Sequence, residues 1–102
     1  MRPIAHNVRV WEQALEDHWS QEKAGQLGDF IRAVRYERGL SQESIAHAAG
    51  ITRNQMQLIE AGRASGRRDG DPAPANPTLR TIAGLAYAFG MSIEQFMGKA
   101  GL

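Results

Sequence analysis

Apolar residues recur along this chain at intervals of three and four, the spacing that places side chains on one face of a helix. Six such stripes are separated by polar or glycine-containing stretches, and we expect the last five to face a common core. No stretch alternates apolar and polar residues as a half-buried strand does, so the pattern predicts an all-α fold. In chain order the stripes are Val8, Trp11, Leu15 and Trp19; Leu27, Phe30, Ile31 and Val34; Ile45, Ala46 and Ala49; Met56 and Ile59; Leu79, Ile82, Ala83, Ala86 and Phe89; and Ile93, Phe96 and Met97.

Capping and turn residues predict where the helices begin and end. Asn7 is expected to cap a first helix over residues 7–24, and Gly25 to end it. Gly39 is expected to end the second helix, while Ser41 and Thr52 cap the third and fourth. Residues 64–76 contain glycine, proline and charge without an apolar period, and they predict a long loop. The remaining boundary signals are Gly50, Gly62, Asn76, Pro77, Thr78, Gly90 and the capping box of Ser92 and Gln95.

The composition is that of one folded domain. A chain of 102 residues, 42% hydrophobic and 23% charged, is long enough for one core and short for two. The absence of cysteine excludes disulfides, thiolate metal sites and zinc fingers. No apolar run approaches the length of a membrane span, and the first residues lack the apolar core of a secretory signal, so we expect a cytoplasmic protein.

Charge is distributed unevenly along the chain. The net charge is +1, but residues 1–30 carry −2 and residues 31–68 carry +4. A basic face therefore belongs to the middle of the chain.

Catalytic chemistry is not predicted. His6, His18 and His47 share no helical face and have no carboxylates placed to hold a metal with them. No nucleophile stands beside a base. We expect no catalytic residue, no metal, no cofactor and no enzyme.

Residues 42–60 have the pattern of two short helices joined by a tight turn. Gly50 suits the turn, because a residue without a β-carbon adopts positive φ without strain. Ala46 is expected where the two helices cross, since only a small side chain there lets the backbones approach. Counted from Gln42, each position that needs an apolar or small residue has one: Ile45, Ala46, Ala49, Gly50, Ile51, Met56 and Ile59.

At this point the sequence resembles the helix-turn-helix family of phage Cro and repressor proteins, the xenobiotic-response-element type. The resemblance covers residues 27–97 and implies a five-helix, lambda-repressor-like DNA-binding domain at residues 27–98. An N-terminal amphipathic helical extension at 1–26 and a tail at 99–102 would flank it. The motifs that carry the resemblance are Arg35-(x)3-Gly39-Leu-Ser-Gln42, Ala46 with Gly50, Ile59-Glu60-x-Gly62, and Asn76-Pro77-Thr78-Leu79.

The resemblance also implies which side chains meet DNA. By position the base readers are Arg53, Asn54 and Gln57, because exposed recognition-helix side chains touch base edges in this family. Arginine can bond guanine, and asparagine or glutamine adenine, with two hydrogen bonds each. An ordinary solvated helix face is the alternative for these three residues. Phosphate contacts are expected from Gln42, Thr52, Gln55 and Arg63, and further candidates are Arg35, Arg67 and Arg68. For Arg67 and Arg68 the alternative is equally good: the neighbouring Asp69 and Asp71 could neutralise their charges.

Glu60, Leu58 and the long loop also affect this interpretation. Glu60 lies near a helix C-terminus, where the helix dipole disfavours an anion, and the resemblance implies a pairing with Arg35 that relieves the conflict. Leu58 replaces a residue that is often polar in the family, so any contact there would be apolar. The loop at 64–76 is about a dozen residues longer than the usual link, which leaves the dimer geometry open.

The sequence therefore predicts a sequence-specific regulator of transcription that binds double-stranded DNA, acting as a homodimeric repressor. Its two recognition helices would lie about 34 Å apart on a pseudo-palindromic site. The alternative is an antitoxin-like protein that binds a partner protein through Trp11, Leu15 and Trp19 and regulates its own gene through the helix-turn-helix. The same stripe could instead cover the edge of the core.

Overall fold

The computed structural model describes residues 19–64 and 73–102. In these ranges the chain forms five helices and no strand, which confirms the predicted all-α fold. No helix there is both long and apolar enough to cross a membrane. Most of the predicted N-terminal helix, and residues 65–72 of the predicted loop, lie outside the described residues. The helices are α1 (Gln21–Glu37), α2 (Gln42–Ala49), α3 (Arg53–Ala61), α4 (Leu79–Ala88) and α5 (Ile93–Ala100).

Local capping chemistry sets most of the helix ends. The hydroxyls of Ser41, Thr52, Thr78 and Ser92 each accept a hydrogen bond from the backbone N–H three residues further on. Each bond satisfies one of the amides that the first turn of a helix leaves unpaired. The predicted ends of α2 and α3 are confirmed as well. Gly50 and Gly62 follow these helices and take the left-handed conformation, at φ 76° and 71°.

The start of α1 differs from the prediction. Ser20 caps this helix, its hydroxyl accepting from Lys23 N at 3.3 Å, and the helix then continues through Gly25 to Glu37. The prediction that Gly25 ends a helix is therefore wrong, and the predicted boundary between residues 26 and 27 falls inside α1. Close packing explains Gly28 of α1, and also Gly62 at the end of α3, which lies against Gly25. A β-carbon on Gly28 would overlap the carbonyl oxygen of Glu60, and one on Gly62 would lie 3.1 Å from the backbone nitrogen of Gly25.

The core forms where the helices meet in pairs. α1 packs mainly on α3 and α2 mainly on α4, while α5 packs on α1 and α4. The ring of Phe96 on α5 contacts Phe30 edge-on, with centroids 5.3 Å apart, and stacks on Phe89 at 6.4 Å. Gly84 lets α4 approach α2, since a β-carbon there would overlap the carbonyl oxygen of Ala49. The largest fully buried side chains are Phe89, Phe96, Leu27, Ile31, Met56 and Leu85.

Two residues predicted to face inward do not. Leu79 is 71% exposed and Ile93 is 39% exposed. Each is the first residue of its helix, α4 and α5 respectively, directly after the capping residue. The apolar spacing is correct, but these two first positions line a surface concavity instead of the core.

Substitution of Gly28 by alanine should destabilise the protein, because the added methyl group meets backbone that cannot rotate away. We expect a loss of about 1 to 3 kcal/mol in the free energy of unfolding. Gly25→Ala in the same helix is the matched control, since a β-carbon there meets nothing within 4 Å. It should be neutral or stabilise by about 0.5 to 1 kcal/mol. Urea unfolding of both variants measures the difference, and equal effects would contradict the close approach.

Candidate nucleic-acid interface

α2 and α3 form a helix-turn-helix whose turn is held by backbone hydrogen bonds. Gly50 takes the left-handed conformation at the turn, and Ile51 N donates to the carbonyl oxygen of Ala46 at 2.9 Å. Ala46 itself is 2% exposed, in the core contact between the helices. A small residue at 46 and a left-handed residue at 50 are what this tight crossing requires.

The start of α3 is fixed by a capping box. Gln55 N donates to Thr52 Oγ1 at 3.0 Å, and Thr52 N donates to Gln55 Oε1 at 2.8 Å. Both side chains are exposed despite these bonds. Each keeps a donor for a ligand, because the threonine hydroxyl hydrogen and the glutamine amide hydrogens are not used in the box.

α3 presents one polar face and one buried face. Arg53, Asn54 and Gln57 are exposed, whereas Met56 is fully buried and Ile59 is 7% exposed. Positions 53, 54 and 57 lie on one side of a helix, because residues three and four apart are neighbours. The three predicted base readers are thus brought together on a single surface.

A polar concavity of about 350 Å³ lies at the N-terminal end of α3. It brings the predicted residues Gln42, Arg35 and Arg53 together. The sequence interpretation missed Tyr36, which lines the concavity, is 68% exposed, and has its ring centroid 4.8 Å from the Arg35 guanidinium carbon. Its position directly after the buried arginine was the only signal available. The full lining is Arg35, Tyr36, Ser41, Gln42, Glu43 and Arg53.

A second concavity, of about 190 Å³, lies between α3 and the start of α4. Gln55 and Arg63, both predicted phosphate contacts, line it together with Leu58. Asn76 and Thr78, which were not predicted as site residues, also line it. Polar side chains thus flank α3 on both sides of its exposed face.

The chain after α3 is pinned where the long loop begins and ends. Arg63 and Pro74 form an isolated antiparallel bridge, and Ala64 N donates to the carbonyl oxygen of Ala73 at 3.0 Å. Ala75 N donates to the carbonyl oxygen of Gly62, also at 3.0 Å. The ends of the loop are therefore held beside α3. Two predicted contacts in this loop, Arg67 and Arg68, lie outside the described residues.

Arg35 and Glu60 form a buried ion pair between α1 and α3. Arg35 Nε lies 3.0 Å from Glu60 Oε2, and Arg35 Nη2 lies 2.9 Å from Glu60 Oε1, so the pair is bidentate. Only 8% of Arg35 and 3% of Glu60 are exposed. The hydrogen bond to Glu60 raises the pKa of the Arg35 guanidinium, so the arginine stays charged at any ordinary pH. Most of the hydrogen-bonding capacity of Arg35 is used internally, since Nη1 also donates to Leu40 O at 3.1 Å.

Trp19 is the one residue of the predicted partner-binding stripe within the described residues. It is half-buried, packs against the core, and donates from its indole nitrogen to the carbonyl oxygen of Ala75 at 2.7 Å. Trp11 and Leu15 lie outside the described residues. Binding of a partner protein through this stripe remains a prediction.

Nothing in residues 19–64 and 73–102 groups three or more histidine, aspartate or glutamate side chains as a metal site would. Apart from the carboxylate of Glu43, the polar side chains of the interface carry guanidinium, amide and hydroxyl groups. These groups bind phosphates and base edges through hydrogen bonds and charge.

Similarities to known proteins agree with this geometry. Residues 26–96 match the model of a family described as "Helix-turn-helix domain". The chain is 30% identical over 73 residues to the immunity repressor protein of Bacillus phage phi105. That match covers 72% of this chain and 43% of the repressor, so the chain spans less than half of this relative's length.

Two solved structures have a similar fold. The restriction-modification controller protein C.AhdI from Aeromonas hydrophila has a TM-score of 0.56 and 27% identity, over 72% of this chain and 94% of the other. The clp gene regulator ClgR from Corynebacterium glutamicum has a TM-score of 0.58 over 78% of this chain and 72% of the other. Its identity is only 19%, so that likeness concerns the fold alone.

Replacing Glu60 with alanine should lower the melting temperature, because Arg35 would be left charged in a buried site. We expect a loss of about 3 to 5 kcal/mol in the free energy of unfolding. Asp29→Ala is the control: it breaks an ion pair with Arg32 at 3.5 Å in which the aspartate side chain is 78% exposed. That change should cost about 1 kcal/mol or less.

The double variant Arg35→Met with Glu60→Leu separates charge from packing. It removes both buried charges and should recover much of the stability that Glu60→Ala loses. Thermal unfolding of the three variants tests this expectation. An unchanged melting temperature for Glu60→Ala would show that the pair does not hold α3 in place.

Proposed function

Because this chain belongs to the Cro/repressor-type helix-turn-helix family of DNA-binding transcriptional regulators, we propose that α3 enters the major groove of DNA and reads its sequence. The family is non-enzymatic, and this chain is a regulator, not an enzyme. The observation that carries the proposal is the two-sided character of α3. Its buried side is fixed by Met56, Ile59 and Glu60, while a polar side is left open.

Arg53, Asn54 and Gln57 are the proposed base readers. A guanidinium can donate to guanine O6 and N7 together, and a side-chain amide can pair with adenine N6 and N7. Each such bidentate contact discriminates against a wrong base by about 1 to 3 kcal/mol. All three side chains are exposed on a helix whose backbone is packed against the core, so binding orders the side chains but little of the backbone.

Phosphate contacts would flank these readers. On one side of α3, Gln42 lies in the concavity it shares with Tyr36. On the other side, Gln55 and Arg63 line the concavity beside the start of α4. Thr52 adds a hydroxyl donor at the helix start. Such contacts fix the helix in the groove and make affinity fall steeply with salt. Arg35, Arg67 and Arg68 are weaker candidates, Arg35 because its donors already bond to Glu60 and Leu40.

We further propose that two copies bind one pseudo-palindromic site and repress transcription by occluding a promoter. One short recognition helix contacts few base pairs, and a dimer doubles the sequence that is read. Repression is consistent with the likeness to a phage immunity repressor. A cytoplasmic location remains part of this proposal, since it follows from the DNA partner. The antitoxin-like alternative stays a prediction that no contact in the described residues favours.

Selection of bound sequences from random duplex DNA tests base readout. Asn54→Ala and Gln57→Ala should each lose preference at discrete base pairs, by about 1 to 3 kcal/mol per pair. Arg53→Ala should do the same at a guanine, whereas Lys99→Ala, which removes one positive charge from α5, should leave the motif unchanged. Unaltered motifs in all variants, or binding insensitive to both salt and sequence, would refute the mechanism and leave α3 an ordinary solvated face.

The mass of the protein–DNA complex tests the dimer. A duplex with both half-sites should bind two chains, with recognition helices about one DNA turn apart. Inserting about five base pairs between the half-sites turns them to opposite faces of the duplex and should weaken binding. Inserting about ten base pairs returns the two half-sites to the same face of the duplex and serves as the control. One bound chain, or indifference to spacing, would contradict the homodimer.

A further inference from the structure

An apolar groove lies between α4 and α5 on the described surface, separate from the exposed face of α3. Its volume is about 250 Å³, and its lining is almost entirely apolar. Leu79 is 71% exposed and Ile93 is 39% exposed, although both belong to stripes that otherwise face the core. The apolar residues that define the groove are Trp19, Pro77, Leu79, Ile82, Ile93 and Met97, and Asn76 is the one polar residue of its lining.

The polypeptide enters this groove at Trp19. The indole of Trp19 lines the groove, and its nitrogen donates to the carbonyl oxygen of Ala75 at 2.7 Å. Ser20 then caps α1, and Gln21 Nε2 donates to the carbonyl oxygen of Gly62 at 2.8 Å. The point from which residues 1–18 extend is thus fixed at the rim of the groove.

The sequence before Trp19 continues the apolar stripe. Trp11 and Leu15 precede Trp19 at intervals of four, which is the spacing of one helix face. On a helix, Trp11 would lie about 12 Å from Trp19, at about 1.5 Å per residue. Two packed helices such as α4 and α5 are about 8 to 10 Å apart. A stripe of this length can therefore span the groove.

We propose that residues 8–18 cover the apolar groove of the same chain, with Trp11 and Leu15 placed over Leu79 and Ile93. Three occupants could bury this surface: this segment, a second copy of the chain, or another protein. The segment is already tethered at the rim, which gives it an effective concentration of about millimolar. A second copy or a partner must additionally lose translational and rotational freedom. The tether therefore favours the segment.

Tryptophan fluorescence tests the proposal on the full chain, because Trp11 and Trp19 are its two tryptophans. The Trp19→Phe variant keeps an aromatic ring in the groove and reports Trp11 alone. We expect blue-shifted emission and acrylamide quenching several-fold weaker than in the urea-unfolded variant. Both should persist on dilution to concentrations at which light scattering detects only monomers.

Leu79→Asp, made in the same background, should red-shift Trp11 and raise its quenching toward the unfolded value. Tyr87→Asp is the matched control, since Tyr87 is 79% exposed on the same helix and does not line the groove. It should leave Trp11 unchanged. Circular dichroism checks that both variants keep their helices, which is expected because both replaced side chains are largely exposed.

Two results would overturn the proposal. Solvent-exposed Trp11 at every concentration would leave the groove open to another protein. Protection that disappears on dilution together with a dimer would assign the groove to a second copy. Neither measurement involves DNA, so failure here would leave the proposed reading of DNA by α3 intact.

Discussion

The contact between α1 and the C-terminal end of α3 is the constraint on which the other features depend. The two backbones approach so closely that position 28 must be glycine, and the Arg35–Glu60 pair spans the same contact. Arg32 adds a bond from its guanidinium to the carbonyl oxygen of Glu60 at 2.9 Å. A carboxylate at the negative end of a helix dipole is thus stabilised by two arginines of the neighbouring helix.

The packing of the buried side of α3 determines how its exposed face is oriented. Because Met56 and Ile59 fill the core while Glu60 is fixed by α1, the orientation of Arg53, Asn54 and Gln57 follows from the packing and not from contacts of their own. A reader of base edges needs side chains that are free to bond on a backbone that is not free to move. The capping box of Thr52 and Gln55 fixes the start of the helix in the same way.

The N-terminal end of α1 connects this interface to the rest of the surface. The carbonyl oxygen of Gly62, at the end of α3, accepts from Gln21 and from Ala75 N, while Trp19 donates to the carbonyl oxygen of Ala75. One small hydrogen-bonded cluster therefore joins α3, the ends of the long loop and the rim of the apolar groove. The proposed covering of that groove would end at the same cluster.

Features that depend on neighbouring residues along the chain were predictable from sequence. The caps at Ser41, Thr52 and Ser92, the left-handed Gly50 and Gly62, and the buried positions of α3 follow from hydrogen bonds and helix periodicity within a few residues. One long-range contact was also predicted. The family resemblance implied that Arg35 pairs with Glu60, which lies 25 positions further along the chain, and helix periodicity alone does not contain this pairing.

The predictions that were wrong concern features that depend on which surfaces meet in space. By itself, the sequence determined the all-α class and the helix-turn-helix, because both are encoded in local spacing. The family resemblance then supplied the residues proposed to read DNA. Only the tertiary structure decided that Gly25 and Gly28 lie inside a helix, that Gly28 is a point of close approach, and that Leu79 and Ile93 border an open groove. A glycine looks the same in sequence whether it ends a helix or admits a neighbour, and an apolar residue is buried only where another element reaches it.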